Sequence, residues 1–166
     1  MKKILLITVL VSFLLIGCSG NITTVKEYKG YLNENQIEKK IKEIEKIEEK
    51  FTNIDYKKDS IFIDESKKEI LKIEGIINEL KEKVDEIETT DDEIATIQGY
   101  LDKYLELKSD TVDINKKLLE TYESIDSTSN KSKVKEYYKE IVKIINKGQT
   151  KFENSELYLK KWNDSF

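Results

Sequence analysis

Apolar residues recur along this chain at steps of three and four. Ile37, Ile41, Ile44, Ile47, Phe51 and Ile54 form one stripe, with Glu and Lys between them. Ile70, Ile73, Ile77, Leu80, Val84 and Ile87 form a second in a strict alternation of three and four. A third runs Ile94, Ile97, Leu101, Tyr104, then Val112, Leu118, Tyr122 and Ile125, diluted in its middle by Lys108, Thr111 and Asn115. The last runs Val134, Tyr138, Ile141, Ile145, Gly148, Phe152, Ser155, Leu159, Trp162 and Phe166, with Gly148 and Ser155 as small members. Such spacing places each set on one face of an α-helix. Nothing alternates with period two over strand length except the short Ile61-Phe62-Ile63 neighbourhood. The pattern predicts an all-α fold: an elongated antiparallel bundle of three to four long amphipathic helices with coiled-coil-like packing.

Polar clusters punctuate the stripes. Asp55 to Ser60 breaks the first from the second, and Ser124 to Ser132 reads as a loop. Thr24 with Glu27, and Thr90 with Glu93, have the spacing of capping boxes. The first offers a helix start at Val25 that would carry Val25, Tyr28 and Leu32 inward. Gly30 and the Asn33-Glu34-Asn35 cluster weaken it, so the first firm helix is placed from about Gln36.

The N-terminal stretch differs in kind. Met1-Lys2-Lys3 precedes Ile4 to Ile16, a run that is apolar except for Thr8 and Ser12. Leu15-Ile16-Gly17-Cys18 closes it and contains the only cysteine. The layout is that of a secretory signal and is too short for an ordinary membrane-spanning helix. Leu15-Ile16-Gly17-Cys18 resembles the lipobox of bacterial lipoproteins. The resemblance implies that a signal peptidase recognises Leu15, Ile16 and Gly17, cuts before Cys18, and leaves Cys18 as the lipid-bearing N-terminus. On that reading residues 1–17 are a signal peptide, residues 18–33 hold the lipidated cysteine, a tether and potential first helical turns, and residues 34–166 form the helical bundle. The body then sits on the extracytoplasmic side of the cell membrane, anchored by acyl chains of the palmitate type. Two or more chains make such an anchor stable where one does not.

Charge and composition exclude several classes. The net charge is -4, and loss of Lys2 and Lys3 with the signal leaves 27 lysines against 33 acids. An acidic body argues against nucleic acid as partner and against anionic headgroups holding it down by charge. One cysteine rules out an internal disulfide framework. The chain has no histidine, the commonest general base and metal ligand, and its six glycines are too scattered for a phosphate loop. The acidic run Glu86, Glu88, Asp91, Asp92, Glu93 could hold a hard cation but lacks EF-hand spacing. Complementation of a helix dipole accounts for it. Tyr104, Tyr122, Tyr138 and Trp162 fall on helical seams, where core packing is the default, whereas Tyr28, Tyr31, Tyr56, Tyr100 and Tyr137 are less committed. No catalytic residue, metal or cofactor is assigned beyond the covalent lipid on Cys18.

With the lipobox, the Lys/Glu-rich amphipathic helices and the tyrosine-bearing last two helices taken together, the chain resembles the YkyA-like cell-wall binding lipoproteins. That resemblance implies a non-enzymatic surface lipoprotein that binds cell-wall polymer or an envelope protein. The alternative is a specific recognition protein, an adhesin or a phage-exclusion or immunity lipoprotein, acting through one helical face. Oligomerisation is compatible with the pattern but nothing in it demands a second copy.

Overall fold

A computed structural model describes residues 21–52 and 60–166. Every regular element among them is helical: α1 (Val25–Glu34), α2 (Ile37–Thr52), α3 (Ser60–Asp85), α4 (Asp92–Asp126) and α5 (Lys131–Asn163). At 35 residues, α4 is about 50 Å long at 1.5 Å per residue. The expected Asp55–Ser60 turn lies outside the described residues, apart from Ser60, which opens α3.

Helix α1 forms from Val25 as the Thr24–Glu27 pair predicts. Thr24 Oγ1 accepts from the Glu27 amide at 3.2 Å, and the Glu27 carboxylate accepts from the Thr23 and Thr24 amides at 3.0 and 3.1 Å. These bonds hold the Glu27 carboxyl below its usual range. The helix ends where the Asn35 amide donates to Tyr31 O, and Gln36 takes φ 55°, in the left-handed region. A non-glycine residue there costs on the order of 1 kcal/mol. The Gln36 carbonyl nevertheless accepts from Lys40 N and so opens α2. Gln36, the expected start of the first firm helix, is therefore a break between two helices.

The second expected capping box is displaced by one residue. The N-cap of α4 is Asp91, whose carboxylate accepts from Ile94 N at 3.0 Å. A carboxylate opposite the positive end of a 35-residue helix outcompetes the neutral Thr90 hydroxyl. The loop expected over Ser124–Ser132 is also shorter: α4 continues to Asp126, and Asn130 caps α5 by accepting from Ser132 N and Lys133 N.

Ion pairs give the helix directions. Lys40–Glu79 and Lys72–Glu43 pair α2 with α3, Lys67–Glu123 and Lys116–Glu74 pair α3 with α4, and Lys117–Glu140 and Lys151–Asp110 pair α4 with α5. In each set one residue number rises as its partner's falls, so consecutive long helices are antiparallel. The core between them contains Ile37, Ile41, Ile44 and Ile47 of the first stripe, the whole of the second, and Ile94, Ile97, Leu101 and Tyr104 of the third. Tyr28 and Leu32 of α1 belong to the same core. At Gly148 a Cβ would come within 3.2 Å of Ile114 Cγ2, so a small residue sets the approach of α5 to α4 there. Gly75 and Gly99 face open space.

Candidate functional site

Leu15, Ile16, Gly17 and Cys18 lie outside the described residues. The chain that follows them is tied to one end of the body. Ile22 is buried, its amide donates to Glu88 O at 2.8 Å, and its carbonyl accepts from Thr89 Oγ1 at 2.7 Å. This fixes residue 22 beside the α3–α4 turn. At that end Tyr31 Oη donates to Lys83 O at 2.8 Å, and Trp162 is buried with Phe166 against it edge-on. Phe166 also stacks on Tyr28, with ring centroids 6.1 Å apart, and Lys29 covers the Phe166 ring. Burial pushes the Tyr28 hydroxyl up to about 12. The aromatics expected on seams thus divide. Tyr104 and Trp162 are core, Tyr122 is half-buried, and Tyr138 is exposed, while the less committed Tyr28 is fully buried.

Halfway along the body is a buried charge. Lys108 is 0% exposed. Its Nζ donates to Glu48 of α2 at 2.7 Å and to Glu156 of α5 at 3.0 Å, and lies 4.4 Å from the Phe152 ring centroid. One ammonium therefore joins three helices. Burial pushes the Glu48 carboxyl above its usual range, and Lys108 offsets only part of that. The Tyr104 hydroxyl beside them is raised by burial first and by Glu48 and Glu156 second. Lys108 is saturated by carboxylates and rings, so it acts as a pin and not as a nucleophile or base.

Beyond Glu48 the surface opens into a groove of about 340 Å³ between α3 and α5, with α4 as its floor. Ile70, Ile73, Ile114, Leu118, Ile145 and Phe152 give it apolar walls. Ser66 projects into this lining and is 3% exposed, and its Oγ has no hydrogen-bond partner among the described residues. The outer wall of the groove continues as an exposed apolar stripe. Tyr138, Val142, Ile145 and Phe152 are exposed on one face of α5, Val142 by 58%. Tyr138, Ile145 and Phe152 were expected on the seam. In this half of α5 the seam passes instead through Ile141, Ile144 and Gly148. A regular helix drifts by about 20° per heptad from a strict 3.5-residue repeat.

A second cleft of about 490 Å³ lies on the other flank of α5. Lys117–Glu140 at 3.0 Å and Lys151–Asp110 at 2.6 Å cross it, so its charges are largely matched. No group of three or more His, Cys, Asp or Glu among the described residues could hold a metal. Asp91 of the acidic run is a helix cap, and Glu86 accepts from Tyr31 and Lys83. No helix among the described residues is long and apolar enough to cross a membrane.

Comparison with protein-family models, with curated proteins and with solved structures finds no match, so the site is judged by its own geometry. That geometry offers an apolar surface bounded by polar groups. The groove has a faint sequence signal. Val142 and Ile145 are apolar on the flank of a helix whose seam is already filled by Ile141 and Ile144.

Proposed function

We propose that the chain is a non-enzymatic surface lipoprotein, anchored through lipid on Cys18, which holds a helical body out from the membrane to bind a partner in the cell envelope. The body is read as one elongated antiparallel bundle in which α1 and α2 together form the first arm and α3, α4 and α5 the others. The observation that carries this reading is polarity along the body. Ile22 is clamped at the α3–α4 turn, only four residues after Cys18. Those residues span at most about 14 Å when fully extended. The groove and the exposed α5 stripe lie toward the opposite end, with Leu118 about 36 Å of helix beyond Ile94. A lipid at Cys18 therefore puts the closed end at the membrane and points the apolar surface away from it. Of the two partner classes, cell-wall polymer and protein, the dry lining favours protein recognition through a helical face, because a glycan offers hydroxyls where this groove offers isoleucines.

Fractionation of cells that produce the full chain or its Cys18→Ser variant tests the anchor. The full chain should stay with the membranes in processed form, and the variant should be released or mislocalised. A Cys18→Ser chain that stayed in the membrane unprocessed as abundantly as the parent processed form would overturn it.

A further inference from the structure

Helix α5 carries its lysines in a row. Lys131, Lys135, Lys139, Lys143, Lys147 and Lys151 follow one another at steps of four residues, about 6 Å of helix each. The row covers about 30 Å and turns about 40° around the helix at each step, so it crosses the exposed side of α5 obliquely. Lys151 pairs with Asp110, but the other five, and Lys133 beside them, have no carboxylate within ion-pair distance among the described residues. The lysines of α4 differ: Lys103, Lys108, Lys116 and Lys117 each meet one. The row also works against its own helix. Like charges four residues apart destabilise a helix, and Lys131 and Lys133 stand in a first turn that holds no acid although the helix dipole favours one. The acids nearby do not cancel it. Glu136 and Glu140 share this stretch of α5, Asp110 and Asp113 line the adjoining cleft with Lys117, and Glu120 follows three residues along α4, while Glu123 is taken by Lys67. Eight lysines thus stand against five acids, in a chain whose net charge is -4.

We propose that this row binds a linear phosphodiester polymer, laid along α5 with a phosphate at each of Lys135, Lys139, Lys143 and Lys147. A polyol phosphate such as poly(glycerol phosphate) puts six backbone bonds between phosphorus atoms, which span at most about 7 Å, twice the reach of the three bonds of a peptide residue. Its charges therefore keep step with lysines set about 6 Å apart. Its free torsions let it follow a row that winds around the helix, whereas a straight acidic helix would meet that row for only a turn or two. A nucleic acid strand has phosphates at the same step, but its bases want aromatic platforms, and residues 140–150 contain no aromatic side chain. The acidity of the whole chain is the average of a positive half of α5 and a negative remainder. The proposal goes beyond the recognition reading above: it concerns a different surface and a different class of partner, and it stands without the lipid.

The test uses the full chain in phosphatidylcholine vesicles and a labelled poly(glycerol phosphate) of about eight repeats, followed by anisotropy. Neutral polyglycerol, polyuridylate and polyglutamate of the same number of repeats are the controls. The phosphate polymer should bind at least about tenfold more tightly than polyglycerol and about threefold more tightly than either of the other polyanions. Its affinity should fall with added salt at a log–log slope of about -3, from about -0.7 for each of four phosphates engaged. Lys139→Gln with Lys143→Gln should weaken binding about tenfold and flatten that slope by about 1.4. Lys26→Gln with Lys160→Gln removes the same charge at exposed sites off the row and should change neither. Because like-charge repulsion is relieved, the first pair of changes should leave the urea midpoint unmoved or raised. A clear fall in that midpoint would assign the lysines to the fold and overturn the proposal. Equal loss of binding in the two double variants, no salt dependence, or polyglycerol bound as tightly also overturns it. Polyuridylate bound equally or better would assign the row to nucleic acid, and polyglutamate bound equally or better to an acidic protein. Displacement of the polymer by phosphatidylglycerol vesicles at equal lipid phosphate would assign it to a bilayer. Each of these three results overturns the proposal.

Discussion

The two ends of this molecule are built from the same helices and finished differently. Toward the α3–α4 turn, α5 buries Ser155, Leu159 and Trp162, and α1 lies across the end with Tyr28 and Leu32 inward. Toward the α4–α5 turn, the same α5 leaves Tyr138, Val142 and Ile145 exposed over a groove. One heptad-like pattern therefore makes a closed core where another helix covers it and an exposed apolar face where none of the described helices does. Apolar area is worth about 25 cal/mol per Å² when it leaves water. The closed end gains that on folding; the open end leaves it in water. Lys108 stands where the two regimes meet.

The largest expected effect belongs to the closed end. Trp162→Ala removes a side chain that is 1% exposed and packed against Phe166. A loss of about 3–5 kcal/mol is expected, measured by urea unfolding. A loss below about 1 kcal/mol would mean that this end is not the closed core described.

Next comes the pin between the ends. Lys108→Met leaves Glu48 buried without its cation and should cost about 3 kcal/mol. Adding Glu48→Gln should restore much of that, since Glu156 is 41% exposed and can be hydrated. If the two changes were simply additive, the triad would not be a coupled unit. The pH dependence follows from the raised Glu48 carboxyl. An acid that is harder to ionise when folded adds stability below its unfolded pKa and loses it as pH rises through the folded one. Wild type should therefore lose ground to Glu48→Gln as pH climbs from 4.5 toward neutrality. A gap that widened in the opposite direction would reverse the sign assigned to burial there.

A smaller effect is expected at the α1 cap. Thr24→Ala removes the acceptor for Glu27 N and should cost about 1 kcal/mol. Hydrogen exchange should locate the loss in Val25–Glu34 and leave α3 unchanged. Uniform loss across the body would show that α1 does not open as a separate unit.

These contrasts follow what the chain made legible. The stripe from Ile70 to Ile87 could be read in full because one dry face selects Ile, Leu and Val at every seam position. Thr24 was legible because a capping box is local chemistry. Three features were not. Gln36 takes a left-handed conformation that its side chain does not advertise. Lys108 looked like a dilution of its seam, although it fills a core position, because its partners come from α2 and α5. The exposed half of α5 looked like seam because periodicity reports which face is apolar and not whether another helix meets it. The stretch Leu15-Ile16-Gly17-Cys18 is legible in the opposite sense: it is a motif, and the test of the proposed anchor is chemical.

The smallest stability effect is expected on the exposed face of α5, and this separates the two ends most sharply. Val142 is 58% exposed beside the groove and packs against no core. Val142→Asp should change unfolding stability by no more than about 0.5 kcal/mol, the usual range for an exposed site. At the closed end Ile22, Tyr28 and Leu32 are all buried, so an acid at any of them would cost far more. The unfolding midpoint should therefore stay unmoved at this residue. A substantial drop in the midpoint would show instead that Val142 supports the fold, and that the open end is closed in solution by packing of its own.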